Sequence, residues 1–461
     1  MHATVAHLFG FSSTLFQLWV NPDPAPATAG QRAIIAAAGP VFSLSAYTQN
    51  AMSHVPGTDQ KQCDPMPALT PRRLVLPLAF LLAVDCGVVS IFWRTLSGDM
   101  AGFLIPWYRF IIEHGRFRAL GLNFSDYSPP YLYLLSVASL AERFGCRPAG
   151  AIRGIAVAGT AVAGIMVASF ARACGWRGKK AIIVAVTFFA LPEMVVNGLV
   201  WGQCDAFYTL FLVAFVYFVT QGRGMVAAVM LGVAFAFKLQ SIFIGPLIVY
   251  LLWVRRMLWR KLLLTPLTYL LLMVPAALAG RTWRDLTTIY FRQAGEYKLL
   301  SLNAPNPYLL IQRFLPGSYA VGVRAGLVVA VITALALVAI FVSRGRDFRP
   351  KSLVHMAALS LAVMPYVLPQ MHERYFFPAS AMAFLLAVVR PRTWPIVLMI
   401  QAADLCAYTR CLLNMSAFWV HRGFIVMTIA IGLLIWQFFD ERDTPNHQYP
   451  LCHRKFGQCA C

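Results

Sequence analysis

Residues 361–389 read LAVMPYVLPQMHERYFFPASAMAFLLAVV, and Glu373 and Arg374 carry the only formal charges in the stretch. An ionised side chain near a bilayer centre costs about 2.5–3.5 kcal/mol on insertion scales. Two such charges beside His372 and Tyr375 therefore predict a buried polar site within a membrane span. The composition agrees with a membrane protein: 59% hydrophobic, 12% charged, mean hydropathy +0.65. A soluble domain carries about 25% charged residues.

Apolar runs of about 20 residues, each enough to cross the hydrocarbon core, recur from Leu74 to Phe439. No alternating ten-residue strand pattern appears, so the expected architecture is an all-α, polytopic helical membrane protein. Candidate spans lie at 74–96, 130–145, 151–171, 181–197, 204–220, 224–252, 261–279, 319–343, 353–369, 375–390, 394–413 and 418–439. With 224–252 read as two short helices, the length rule gives about twelve or thirteen crossings. No internal repeat is visible, which argues against a transporter built of two related halves.

Residues 1–70 read as a poorly ordered extension, 71–440 as the membrane domain, and 441–461 as a disordered tail. Within the extension, 31–47 resembles a segment of membrane-embedded metallopeptidases. No HExxH zinc helix accompanies it, which argues against a protease. The tail's Cys452, His453, Cys459 and Cys461 match no zinc spacing. Cys86, Cys146, Cys174, Cys204, Cys406 and Cys411 sit in or beside apolar runs and read as small hydrophobes.

The net charge is +21. Basic residues cluster in short loops: Arg72-Arg73, Arg255-Arg256 with Arg260-Lys261, and Arg344, Arg346, Arg349 and Lys351. This is the pattern of positive loops on the cytoplasmic side, drawn also to anionic lipid heads. No basic groove or aromatic platform accompanies it, so nucleic acid is excluded as a partner. Arg72-Arg73 set a cytoplasmic N-terminus and put the first loop, 97–130, outside. A conflict follows: Arg172, Arg177, Lys179 and Lys180 fall outside if 130–145 and 151–171 both cross.

The first loop contains FLIPWYRFIIEHGRFRALG, with Phe103, Trp107, Phe110 and Ile111 at helical spacing, which predicts an amphipathic surface helix. Several polar elements break the apolar background. Asp99 follows the first span; it is either an ordinary loop acid or a general base for a hydroxyl. SDYSPPY (125–131), with Tyr127, closes the loop, and its prolines read as a rigid turn. WGQCD (201–205) offers Gln203 and Asp205 beside a glycine that permits close backbone approach. Lys238 and Gln240 interrupt an apolar run; Lys238 either snorkels to the interface or binds phosphate. Glu142 and Glu193 read as interfacial, Asp404 as a helix-pairing residue, and Asp85 as buried with an unnamed partner.

Taken in order, Asp99, SDYSPPYLYLL, WGQCD, FKLQ, KLLSLNAPNPYLL (298–310) and MHERYFFPA resemble GT-C glycosyltransferases, most nearly a bacterial mannosyltransferase-like group. The likeness spans about residues 74–440. It implies a polyprenyl-phosphate sugar donor, a hydroxyl acceptor, and inverting transfer with Asp99 as base. It further implies donor-phosphate contacts from His372, Arg374, Lys238 and Gln240. Asp205, Gln203, Glu373, Tyr127, Asn303 and Asn306 match further motif positions. Metal is not demanded, because the acids are far apart in sequence and GT-C members differ in this respect; a divalent ion stays open. A bacterial inner membrane with the site facing the periplasm is the implied location. Ser128 departs from the pattern where the family often has proline. The rivals are a flippase or transporter for a lipid-linked sugar, and an O-antigen ligase or polymerase. The ligase is disfavoured because the late loop, 280–316, is short and offers only Asp285 and Glu296 as acids.

Overall fold

The structure is a computed structural model describing residues 96–440, except 294–296, 316, 318, 345 and 346, with scattered positions between 79 and 90. The N-terminal extension, Arg72-Arg73, the Cys-containing tail, Glu296 and Arg346 lie outside the described residues. The continuously described chain opens with α1 (Ile105–Glu113), α2 (Pro129–Ala138), α3 (Pro148–Ala173) and α4 (Lys179–Phe189); the expected first span, 74–96, lies largely outside the described residues. A bent helical segment, Pro192–Trp201, leads into α5 (Asp205–Thr220), α6 (Gly224–Phe237) and α7 (Gly245–Trp253). Then follow α8 (Leu264–Leu278), α9 (Trp283–Gln293), β1 (Ser301–Leu302), α10 (Tyr308–Phe314) and α11 (Tyr319–Ser343). The chain closes with α12 (Pro350–Val367), β2 (Met371–His372), α13 (Phe377–Val389), α14 (Trp394–Leu413) and α15 (Ala417–Asp440).

Among the described residues five helices are long and apolar enough to cross a bilayer, or six if the bent pair Lys179–Phe189 and Pro192–Trp201 is one span. This is fewer than the twelve or thirteen crossings expected from the sequence. The expected spans outside that count are 74–96, largely beyond the described residues, 130–145, α12, and short apolar helices of 10–17 residues, α5, α6 and α13 among them. Such a helix reaches at most about 25 Å, less than the hydrocarbon core. α13 shows why it need not reach further. Every residue from Phe377 to Val388 is buried, packed among α5, α12, α14 and α3, so its all-round apolar surface meets protein, not lipid. α11 is the opposite case. Only Gly326, Ala330, Leu337 and Phe341 are buried, a single stripe facing α7 and α12, and the remaining apolar faces look outward.

The stretch 130–145 is not a crossing. It forms the ten-residue α2 and a 3₁₀ turn, Ser139–Phe144, far too short for the core. With one crossing fewer, the basic turn Arg172–Lys180 falls on the side opposite the first loop, and the topological conflict disappears. The run 224–252 does form two short helices, parted at Lys238 and a 3₁₀ turn, Leu239–Ile244. The amphipathic helix is α1, but its buried face is Leu104, Trp107, Tyr108 and Ile111. Phe103 is exposed, and Phe110 is half-buried, stacked on Phe124 at 4.4 Å.

The helices break where the polar motifs lie. Ser128 is extended and Pro129-Pro130 start α2, a place where the missing N–H of proline costs nothing. A π-turn, Val196–Trp201, ends at Gly202 in the left-handed region (φ +76°). A Cβ there would lie 2.5 Å from the Met100 side chain. The LNAPN and MHERY motifs pair with each other: β1 and β2 run parallel, with Ser301 opposite Met371 and Leu302 opposite His372. The Gln370 N–H donates to Leu300 O at 2.7 Å and the Glu373 N–H to Leu302 O at 3.2 Å. The His372–Tyr375 tetrapeptide therefore lies in the connection between α12 and α13, not inside a span.

Candidate active site

These breaks converge on one cleft of about 320 Å³. Asp99, Tyr127, Gln203, Lys238, Gln240, His372 and Arg374 all line it. Asp99 sits at the head of the π-turn Met100–Leu104, which Ser97 steadies by accepting the Met100 N–H at 3.1 Å. Its Oδ2 accepts from Arg374 Nη1 at 2.8 Å and from Gln203 Nε2 at 3.0 Å. Both bonds fall on Oδ2; Oδ1 takes none from the described residues. Tyr127 OH donates to Gln203 Oε1 at 3.1 Å, which fixes the amide orientation.

Behind this front a second carboxylate is sealed in. Asp205, fully buried, accepts from Lys238 Nζ on Oδ1 and from Asn197 Nδ2 on Oδ2 at 3.0 Å. Arg374 Nε approaches the same Oδ2 at 3.9 Å. Lys238 is therefore not a snorkelling residue. It ends α6 in extended backbone (φ −157°, ψ 133°), and its ammonium lies 5.5 and 5.4 Å from the Tyr208 and Tyr375 ring centroids. One of its three N–H donors is taken by Asp205, so others are left for a ligand. Gln240 Oε1 is buried without a partner among the described residues.

Glu373 backs the arginine: its Oε1 accepts from Arg374 Nη1 at 3.3 Å, and Oε2 lies 4.0 Å from His372 Nδ1. Burial pushes the Glu373 carboxyl up, against the pull of Arg374. His372 is pushed well below the usual imidazole range, first by burial and then by the positive charges of Arg374 and Lys238. Both effects favour the neutral imidazole, which can donate or accept a hydrogen bond. Among the described residues no group of three or more His, Cys, Asp or Glu is arranged to hold a metal ion.

Asn303 and Asn306 do not line the cleft. Asn303 is left-handed (φ +60°) and its Nδ2 reaches Cys411 Sγ at 3.5 Å. Asn306, fully buried, donates to Pro365 O and Leu368 O at 3.4 and 3.3 Å. Asn306 thus ties its loop to the end of α12, just before the connection that carries His372 and Arg374, and the Asn303 backbone bridges to His372 itself. Glu193 is not interfacial: it is fully buried against Gln401 and Tyr408, because the bend before Pro192 turns it inward. Asp404 is fully buried as well, and Asp85 is buried with Oδ2 unpartnered among the described residues. Glu142 is exposed.

Trp107, which the sequence placed only on an amphipathic helix, also lines the cleft, as do Tyr290, Gln293 and Tyr297, which the sequence did not single out. α9 brings two of them in. Tyr290 OH donates to Phe235 O at 2.5 Å, and Gln293 Nε2 donates to the Asp126 carbonyl. Nothing in a local motif marks these residues; the signal was the amphipathic character of α9 beside a loop already singled out. Asn197 was also missed, although it stands just before WGQCD.

The sequence profile of glycosyltransferase family 87 matches residues 124–369 of the 461-residue chain. The match holds Tyr127, Gln203, Asp205, Lys238 and Gln240; Asp99 and the His372–Tyr375 loop lie beyond its ends. No curated protein matches. Among solved structures, the chain is similar to ArnT from Cupriavidus metallidurans bound to undecaprenyl phosphate. It shares 21% identity, covers 79% of this chain and 71% of that one, and has a TM-score of 0.47. The apo form of ArnT gives 20%, 80%, 74% and 0.47. More than half of the chain carries the profile, over the segment that builds the cleft wall, and the protein belongs to glycosyltransferase family 87, a family of the GT-C type.

Proposed function

We propose that the enzyme transfers a hexose, mannose or a close relative, from a polyprenyl-phosphate sugar to a hydroxyl acceptor, with inversion at the anomeric carbon. Asp99 is the general base. The observation that carries this reading is the asymmetry of Asp99 within the cleft lining: Arg374 and Gln203 both bond Oδ2, and Oδ1 takes no bond from the described residues. A positioned carboxylate of that kind accepts a proton from a hydroxyl as it attacks.

In the proposed step the acceptor oxygen bonds to the anomeric carbon, and its proton goes to Asp99 Oδ1. The bond from that carbon to the phosphate oxygen breaks, and the electron pair leaves with the polyprenyl phosphate. Charge builds on the phosphate, so fixed positive groups lower the barrier more than they bind the substrate. Arg374 and Lys238 supply that charge. His372 and Gln240 supply uncharged hydrogen bonds. The lipid tail suits the apolar wall of Leu239, Leu302, Leu327 and Leu368; Leu327 belongs to the outward-facing α11 and is itself exposed. The site faces the periplasm of a bacterial inner membrane in this reading.

The test uses the purified protein in lipid vesicles with a panel of polyprenyl-phosphate sugars, reading release of free polyprenyl phosphate. Release with one sugar and an added hydroxyl acceptor is expected. Passage of a labelled lipid-linked sugar across the vesicle membrane without release would replace this reading with a flippase.

A further inference from the structure

Behind the cleft lies a second polar cluster that none of the chemistry above uses. Glu193, Asn197, Ser380, Gln401, Asp404 and Tyr408 are each at most 3% exposed. Gln401, Asp404 and Tyr408 stand three and four residues apart on α14, which puts them on one face. That face grips Glu193 from both sides. The Glu193 backbone N–H donates to Gln401 Oε1 at 2.9 Å, and Gln401 Nε2 returns a bond to Glu193 Oε2 at 3.1 Å. Tyr408 OH donates to Glu193 Oε1 at 3.1 Å.

Glu193 stands second in the short segment Pro192–Trp201, and two side chains of that segment touch charged residues of the site. Asn197, one helical turn on, orients Asp205 at 3.0 Å. Trp201 presents its ring to Arg374, whose guanidinium carbon lies 5.4 Å from the ring centroid. The Tyr408 ring meets the same indole edge-on at 5.1 Å. One π-turn lies between grip and site, a geometry frequent at functional positions. We infer that Glu193, Gln401 and Tyr408 are positioning residues, which hold Trp201 and Asn197 so that Arg374 and, through Asp205, the Lys238 ammonium are set for the donor phosphate. The inference rests on the donor assignment proposed above.

The test is a double-mutant cycle read as the dissociation constant of free polyprenyl phosphate, in the full-length protein in lipid. Tyr408→Phe removes only the hydroxyl and leaves the ring on Trp201. It is expected to weaken binding about threefold to tenfold. If Tyr408 acts through Arg374, the same change made in Arg374→Lys adds less than about twofold, because the two sites are coupled. An equal loss in both backgrounds, or none in the first, overturns the positioning role while leaving the donor assignment intact. Failure of the unmutated protein to bind polyprenyl phosphate overturns both. Gln401→Leu, which cuts the other tie to Glu193, runs through the same cycle and gives an answer should Tyr408→Phe not fold.

Discussion

Arg374 is the residue on which the site turns. It touches Asp99 and Glu373 through Nη1, nears Asp205 through Nε, and lies over Trp201. A guanidinium holds that geometry through its planar fork; an ammonium does not. Arg374→Lys is therefore expected to lower kcat about 10²-fold, the usual loss for one charged donor to a developing anion. His372 has the opposite profile. Burial and its cationic neighbours favour the neutral imidazole, so in the proposed step it offers a hydrogen bond rather than a charge. His372→Gln is expected to keep transfer within about tenfold of the unmutated enzyme. Steady-state transfer assays on both variants check this, and equal losses would contradict the division of roles. The sequence made this tetrapeptide legible because charge in an apolar run has no cheap structural explanation. It did not reveal that the four residues form a connection edged by a strand, since two-residue strands leave no periodic signal.

At the scale of elements, the site is assembled from interruptions of helices: Asp99 before a π-turn, Gly202 after another, Lys238 at a helix end, and the β1–β2 pair. Irregular backbone at membrane depth is tolerated where protein or a cavity lines it, and each interruption here meets the cleft. The motifs were readable because they sit at these breaks. Their partners were not, because Gln401, Tyr408 and Tyr290 come from regular helices far away in sequence. The element that closes the cleft, α9, is pinned by charge. Arg281 and Arg292 both engage Asp285, and Arg281 Nη2 also donates to Asn123 of the first loop at 2.8 Å. Burial tends to raise the Asp285 carboxyl, but the two arginines together lower it below 3.8. A depressed folded value means stability that is present above the ordinary value and lost as pH falls through the lower one. Amide protection in Trp283–Gln293, corrected for the intrinsic pH dependence of exchange, should therefore hold steady relative to α13 on acidification from neutral pH and fall only below the ordinary carboxylate range. A fall that begins near pH 6 would show that another group holds α9.

At the scale of the whole molecule, the two ends differ in chemistry. The first loop, WGQCD, Lys238, α9 and the His372–Tyr375 connection meet at one end. The basic turns gather at the other. Arg256 Nη2 donates to Val219 O at 3.3 Å, its guanidinium lies 5.0 Å from the Phe348 ring centroid, and Arg392 pairs with Asp440 at 3.1 Å. Positive turns mark the cytoplasmic side, so Phe291→Cys and Arg255→Cys should react with a membrane-impermeant thiol reagent from opposite faces of a sealed vesicle. Both residues are exposed. Labelling of both from the same face would break the topology. The expected crossings outnumber the long apolar helices among the described residues for a physical reason: hydropathy cannot tell a helix wrapped in protein, such as α13, from one bathed in lipid, such as α11.

The central claim is that Asp99 takes the proton from the acceptor. Its most direct test is the transfer rate of Asp99→Asn in lipid vesicles, with polyprenyl phosphate binding measured on the same preparation. Asparagine keeps the shape and an acceptor oxygen for Arg374 but lacks a basic oxygen. The account predicts a loss of at least about 10²-fold in transfer, with binding within a few-fold of the unmutated enzyme. Transfer at the full rate would contradict it and remove Asp99 from the chemistry.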